Sequence, residues 1–531
     1  MPALRAPEVH PFSGFDVPHL LAVHVAARGE HPFLIWEPFE GAAKTWSYAR
    51  FAHEVQAVAA GLRARGVKTG ERVLIHLDNC PESLIAWYAC AHLGAVAVTT
   101  NARSVADDLI YFSEHAAVVG AITQPAFAGL VAASCKNIKW LAVTETDNGA
   151  APKATNRPPK SESFAALYGN PADAPLRAPN PMLPVGVQYT SGTTSRPKGV
   201  VWTHANALWG AKLCAMHEDL RPSDVHLTYL PLFHTNAQSY SVLAALWVGA
   251  TVVLQPRFSA SRFWSVSAKH GCTWTSMVPF CVRALMGQEK PASHSYRFWG
   301  NGISAPPTDA HFGVKTIGWW GMTETITHGI VGDPWLPNRP MSIGKPATSY
   351  EIAILHEDGT PVAPGETGEL LVRGVPGLSL FAEYLNNPEA TAKSFDDQGY
   401  FITGDRVTLG EDGFISFADR DKDMLKVGGE NVAASEIERV IMTVPGIHEC
   451  AVVGKRDPML DEVPVAFLLV PGGEAAAPRD LVAQVMTACE KGLADFKRPR
   501  EIRIVDSLPR STLEKIAKAE LRRLVDGAPQ S

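Results

Sequence analysis

The chain has 531 residues, of which 46% are apolar and 19% charged, and its formal net charge is −6. That length exceeds one ordinary core, so at least two domains of a globular protein are expected. The acidic balance argues against nucleic acid or an anionic membrane as partner, since a basic excess usually meets those.

The opening stretch, MPALRAPEVHPFSGFD, lacks the basic start, apolar run and small-residue cleavage site of a secretory signal, and reads as a surface arm. No run of about 18 apolar residues occurs, so no membrane span is expected. The eight cysteines are scattered, with no CxxC pair and no Cys/His cluster at zinc spacing. They read as reduced, mostly buried side chains of a cytoplasmic protein.

Strand and helix patterns then alternate. Arg72–Leu77 is a short apolar run, Pro81–Leu93 has helical apolar spacing with proline in its first turn, and Ala95–Thr100 is a second strand. The same order recurs at Val225–Leu230, Ala237–Val248 and Thr251–Leu254, and a Gly-Ala pair follows the helix both times. This spacing predicts βαβ units with parallel sheets, arranged as two similar subdomains. Between them, Asp147–Pro181 is rich in Pro, Ala, Asn and Ser and reads as a surface connection. After Pro340 short strands with Gly and Pro turns predict a small β-rich region, at Tyr350–Leu355, Gly368–Arg373 and Phe414–Phe417. Beyond Asp421 helices at Ser435–Val444 and Arg479–Leu493 alternate with strands at Glu449–Val453 and Val463–Val470. The expected fold is therefore α/β. A large N-terminal domain, residues 1–421, holds two βαβ-type subdomains and the β-rich one. An α+β C-terminal domain follows over residues 422–531.

The strongest chemical signal is YTSGTTSRPKGVV at Tyr189–Val201. It gathers the hydroxyls of Thr190, Ser191, Thr193 and Thr194, the glycine Gly192 and the cation of Lys198 into one short turn. Glycine lets backbone approach a polyphosphate, N–H and hydroxyl groups donate to its oxygens, and lysine adds a point charge. The lysine does not follow a glycine directly, so this is not a Walker A loop. Apolar Val185, Val187, Val200 and Val201 on both sides favour a loop wedged between buried strands over a plain surface turn.

Five further motifs follow in order: PLFHTNAQ at Pro231–Gln238, GWWGMTET at Gly318–Thr325, YFITGD at Tyr400–Asp405, DRDKDMLKVGGENVAASEIE at Asp419–Glu438, and PRSTLEKIAKAEL at Pro509–Leu521. With the phosphate-type loop, they make the chain resemble the adenylate-forming superfamily of acyl-CoA synthetases, luciferases and nonribosomal adenylation domains. HLDNCPE, GMTETI and the NNPEATAK segment bring it nearest to ligases of the crotonobetaine/carnitine-CoA and medium-chain acyl-CoA kinds.

The resemblance implies an acid–thiol ligase that uses ATP, Mg2+ and coenzyme A. A small carboxylic acid attacks the α-phosphorus of ATP, and the acyl-adenylate then passes its acyl group to the coenzyme A thiol. By the same resemblance Thr323 binds the α-phosphate, Glu324 holds Mg2+ as a hard oxygen ligand, and Trp320 stacks on adenine. Asp405 accepts from the ribose hydroxyls, Arg420 is a second ribose or phosphate contact, and His234 gates the pocket. Gly300, Asn301 and Gly302 line the adenine and acyl pockets. Thr235, Asn236, Gln238, Trp319, Met322 and His328 are acid-pocket candidates. Lys515 stabilises the charge that builds in the first step, then withdraws as the mobile C-terminal domain turns on the hinge residue Lys422. Gly428 and Gly429 then line the pantetheine tunnel, and Lys497, Arg498 and Arg500 read either as coenzyme A phosphate contacts or as a solvated basic face.

One position departs from the family pattern. Glu514 stands where glycine normally precedes the lysine, which removes backbone freedom and sets a negative charge beside Lys515. This departure allows a mainly thioesterifying ligase that takes a ready-made acyl-adenylate. The motifs are also compatible with a carrier-protein or amine acceptor, with an oxygenase, and with a non-catalytic nucleotide sensor. Retention of Lys198, Glu324, Asp405 and Lys515 together argues against the sensor. A symmetric homodimer is the default assembly.

Overall fold

Apolar alternation and glycine stops build the first large sheet. The computed structural model describes residues 10–104, 106–151, 157–190, 197–420, 424–427, 430–493, 495–510 and 516–527. Within it the strand Arg72–His76 pairs in parallel with Val96–Thr99 on one side and Gly120–Thr123 on the other. The helix Pro81–Leu93 joins the first two. It starts with proline at its first position, where no N–H is needed, and ends on Gly94 at φ +78°, a left-handed cap that glycine adopts without a Cβ clash. The sheet has 8 strands. Pro184–Thr190 joins it beside Val96–Thr99, and Lys198–Thr203 and Glu383–Tyr384 close that edge antiparallel. The connection over Asp147–Pro181 is not wholly irregular. Its Ser161–Ser163 forms a short parallel strand on the far edge.

A 9-stranded sheet is built on the same plan. Val225–Thr228 and Thr251–Leu254 pair in parallel, and the element between them again ends on a glycine at φ +78°, Gly249. The repeated Gly-Ala pair is thus a repeated cap. The helix expected over Ala237–Val248 is in two parts, a π-helix at Asn236–Leu243 and an α-helix at Ala244–Val248. Trp274–Ser276, Phe298–Asn301 and Lys315–Trp320 extend the parallel set. The strand Pro32–Trp36 also belongs here, beside Thr251–Leu254, which local pattern could not show.

The chain divides into two compact units. The first holds both large sheets and comprises the described residues up to Thr190, those from Pro197 to Ile352, and Val372–Phe401. The second holds Ala353–Leu371 and the described residues from Ile402 onward. In the second, a strand pair at Glu449–Asp457 and Asp461–Leu469 runs antiparallel, and Glu501–Val505 adds in parallel. Alternation along Glu449–Asp457 sends Cys450 and Val452 to one face, against the helices Ala434–Ile441 and Leu481–Gly492. It sends Ala451 and Val453 to the other, with Leu521 and Val525 of the helix Lys518–Val525. All eight cysteines are buried and unbridged.

Candidate active site

Strand ends carry the site residues in the first unit. Thr190 and Lys198 face each other as the last pair of an antiparallel hairpin, Pro184–Thr190 with Lys198–Thr203. Val185, Val187, Val200 and Val201 beneath them are buried, so the strands that flank the phosphate-type loop are anchored in the core. Ser191, Gly192, Thr193 and Thr194 lie outside the described residues.

Glu324 follows the strand Lys315–Trp320 and is only 4% exposed. The Tyr384 hydroxyl donates to its Oε1 at 2.9 Å. The ammonium of Lys198 sits 4.5 Å from the centroid of the same tyrosine ring, a cation–π distance. One tyrosine therefore ties the loop lysine to the carboxylate of GMTET. Burial, and then the neighbouring Glu324 charge, push the Tyr384 hydroxyl well above its ordinary pKa, so it stays a donor. Sequence reading missed Tyr384, although the NNPEATAK segment begins only two residues later. Tyr384→Phe is expected to cost about 1.5–3 kcal/mol, the range for a hydrogen bond to a charged group. Urea denaturation measures this, and an unchanged midpoint would deny the bond its role.

Thr323 is held from two sides. Its carbonyl accepts from Trp202 Nε1 at 2.9 Å, and its hydroxyl lies 3.3 Å from that of Thr235, which donates to Gln188 Oε1 at 3.0 Å. Just beyond, Thr327 N–H donates to the Thr325 carbonyl at 2.6 Å across Ile326, whose φ is +66°. An i to i+2 bond with positive φ is the strained form of γ-turn, and a β-branched residue there is an outlier. Surrounding bonds hold it in place. The Tyr350 hydroxyl donates to the Thr325 carbonyl at 2.6 Å, and Phe381 N–H donates to the Glu324 carbonyl at 2.8 Å. Strain held by its surroundings right after Thr323 and Glu324 fits a segment whose geometry matters for binding.

His234 lies just before the π-helix, its ring 4.2 Å from Phe233. Asn236 Oδ1 and Gln238 Nε2, on that helix, are buried without a hydrogen-bond partner among the described residues. Polar atoms of this kind suit a polar ligand. Gly300 and Asn301 end the strand Phe298–Asn301, and Gly302 N–H donates to Asn301 Oδ1 at 2.7 Å. A Cβ on Gly300 would lie 1.5 Å from Trp319 Cη2, so the indole rests directly on the strand backbone. Trp319 stacks on His328 at 4.4 Å. Trp320 is buried, its ring over Gly329. Met322 is fixed through backbone bonds with Thr325 Oγ1.

In the second unit Asp405 is 3% exposed and stands opposite Arg420 in the antiparallel register of Tyr400–Leu409 with Ile415–Arg420. Its N–H donates to Thr403 Oγ1, whose own proton goes to the Leu370 carbonyl at 2.6 Å. Lys497 is ion-paired with Glu436 at 2.8 Å, and Arg498 donates to the carbonyls of Leu493 and Glu490. Lys422, Gly428, Gly429, Glu514 and Lys515 lie outside the described residues.

Known proteins resemble this chain in sequence and fold. The family model for the AMP-binding enzyme matches residues 21–385, and that for the AMP-binding enzyme C-terminal domain matches residues 436–515. A crotonobetaine/carnitine–CoA ligase from Salmonella arizonae (strain ATCC BAA-731 / CDC346-86 / RSK2980) is 35% identical over 504 residues, 92% of this chain and 95% of its own. The solved O-succinylbenzoate coenzyme A synthetase from Bacillus subtilis, in complex with ATP and magnesium ion, superposes with a TM-score of 0.80 at 26% identity. That match covers 95% of this chain and 98% of the other. An anthranilate CoA ligase in complex with anthranoyl-AMP has the same fold, with a TM-score of 0.86 at 24% identity over 98% of this chain and 99% of its own.

Proposed function

Because the chain belongs to the AMP-binding enzyme family, we propose that the residues gathered around Glu324 do the chemistry of an AMP-forming acyl-CoA ligase. The observation that carries this assignment is the Lys198–Tyr384–Glu324 link, set beside the doubly held Thr323. The substrate carboxylate attacks the α-phosphorus of ATP, forming acyl-AMP while pyrophosphate leaves. The coenzyme A thiolate then attacks the acyl carbonyl, and AMP leaves.

Each residue has a task that its chemistry suits. Lys198, Thr190 and the hydroxyls of Ser191, Thr193 and Thr194 bind the departing phosphates, and Gly192 lets the backbone come close. Thr323 donates to the α-phosphate, and His234 guards the entry of the acid. Glu324 fits Mg2+, since it is a hard carboxylate donor already oriented by a tyrosine, and that ion takes only one or two protein carboxylates. The bound ion would neutralise phosphate charge. Trp320 and the Gly300–Gly302 turn are assigned to adenine, and Asp405 with Arg420 to the ribose. Lys515 serves the first step, Lys422 is the hinge of a mobile C-terminal domain over 422–531, and Gly428 and Gly429 admit the thiol arm in the second step.

The acid is proposed to be small. On the reading that Trp319 lines the acid pocket, its indole, packed between the backbone of Gly300 and the ring of His328, takes up space that a longer acid would need. A panel of acids of rising length should therefore favour the shortest, and Trp319→Ala should shift the optimum to longer ones. Longer acids preferred by the wild type would sink this size limit. Among the described residues no helix is long and apolar enough to cross a membrane. A homodimer in the cytoplasm is proposed as the working form.

A paired assay tests the function. One arm follows ATP–pyrophosphate exchange, and the other follows thioester formation from coenzyme A and supplied acyl-adenylate. Activity in both arms is expected. Exchange alone would move the acceptor away from coenzyme A, and silence in both, with folded protein and a broad panel, would favour a non-catalytic nucleotide sensor. Activity in the second arm alone would favour the reading that Glu514 suppresses adenylation. On that reading Glu514→Gly raises exchange. An unchanged exchange rate would end it.

A further inference from the structure

Behind the π-helix, three side chains of different chemistry meet in the core. Cys214 is on the helix His204–His217, Glu218 is its C-terminal cap, and His328 follows the strained turn at Ile326. Their ligand atoms (one sulfur, one carboxylate oxygen, one imidazole nitrogen) all lie within 4.8 Å of one another. All three residues are buried. Neither oxygen of Glu218 and neither ring nitrogen of His328 has a hydrogen-bond partner among the described residues. His217 stands beside them, its ring 5.6 Å from that of His328, and its Nδ1 is likewise buried without a partner. The proposed ligase chemistry uses neither Cys214 nor Glu218.

A carboxylate taken out of water without a counter-charge is costly, and buried polar atoms without partners call for an ion, a water or a change of protonation. Two observations favour an ion. The donor set is mixed: thiolate with imidazole and carboxylate is the set that holds zinc, whereas all-oxygen sets hold magnesium or calcium. The placement is also right. Cys214 and Glu218 are four apart, so they project from one face of a single helical turn. His328 approaches from another segment, and its ring nitrogens have no competing hydrogen bond among the described residues. Cys214 Sγ is 2.9 Å from Thr327 Oγ1, one residue from His328, which already fixes the two segments side by side.

We propose that Cys214, Glu218 and His328 bind one zinc ion. Tetrahedral zinc, with ligand bonds of ~2.0–2.3 Å, sets its ligand atoms about 3.5 Å apart, so separations within 4.8 Å ask for a closure of at most about 1.3 Å. Binding forms the Zn–S bond and releases the Cys214 thiol proton to solvent, while Glu218 and His328 each give one lone pair. A water completes the fourth position. The ion would clamp the end of the helix His204–His217 to the segment just beyond Glu324. Its role is structural, setting the stiffness of the turn that presents Thr323 and Glu324.

The test uses the untagged full-length chain. Protein from zinc-supplemented growth is passed through a chelating resin, and its zinc is measured by mass spectrometry. A second sample is stripped and refilled with Co2+, whose thiolate bond gives a charge-transfer absorption band. One zinc per chain and that band are expected, with both lost in Cys214→Ser and zinc lost in His328→Ala. Added Zn2+ should raise the melting temperature of the stripped wild type and leave that of Cys214→Ser unmoved. A wild type with background zinc and no cobalt–thiolate band would overturn the site, as would a Cys214→Ser variant that keeps its zinc. If Cys214→Ser fails to fold, Cys214→Ala and His328→Ala, read by zinc content and by the cobalt band, still decide.

Discussion

Glu324→Gln is expected to lower ATP–pyrophosphate exchange by about 10²–10³-fold, the range seen when one preorganised electrostatic group is removed from a reacting centre. The substitution nearly conserves shape. Glutamine keeps a carbonyl oxygen that can still accept from the Tyr384 hydroxyl, and Phe381 N–H still bonds to the carbonyl at position 324. The fold should therefore survive, which near-ultraviolet circular dichroism checks. What is lost is the negative charge that the proposed Mg2+ needs. The diagnostic reading is the Mg2+ dependence: half-maximal exchange should move to higher Mg2+, and thioester formation from supplied acyl-adenylate should change far less. Equal losses in both reactions would instead mean that position 324 is structural.

Gly300→Ala is the second large effect. A methyl group there would stand 1.5 Å from Trp319 Cη2, well inside any tolerable contact. The indole cannot give way easily, because His328 stacks on one face and Trp274 lies parallel at 6.3 Å. Overpacking of this kind costs about 1–3 kcal/mol when the core can shift, and more when it cannot. Chemical denaturation should show that loss, together with lower exchange activity. The double variant Gly300→Ala with Trp319→Ala should recover most of the stability lost to the clash. A double-mutant cycle isolates that coupling, since two residues in contact should not behave additively. Simple additivity would mean that the strand has room that the geometry denies.

Local pattern made much of the fold legible. Pro81–Leu93 is a helix with those same bounds, and Thr251–Leu254 is a strand with those same bounds, because helical spacing, proline at the start and glycine at the end act over a few residues. The π-helix was not legible. Asn236–Leu243 reads as ordinary helix, since a short run with i to i+5 bonds leaves no distinct apolar pattern in so few residues. Motif residues such as Glu324 could be named, since their chemistry is compressed into a few letters. Tyr384 could not, because its meaning depends on Lys198 arriving from another strand and Glu324 from the turn that follows a third. The cysteines illustrate the same limit: no spacing in the chain announces that Cys214 and Glu218 will meet a histidine more than a hundred residues on.

The strand Pro32–Trp36 has a consequence for how the molecule is made. It pairs with Thr251–Leu254, and the Tyr48 hydroxyl bonds to the Ala250 carbonyl at 2.7 Å. On the ribosome this early strand emerges long before its partner, so its edge must wait while more than two hundred residues are translated. Contacts so distant along the chain slow folding, because loop closure precedes any reward. An apolar edge left waiting is also open to the wrong neighbour. The second sheet thus cannot be completed in the order of synthesis, and the yield of active protein should depend on chaperones that shield its first-made strand.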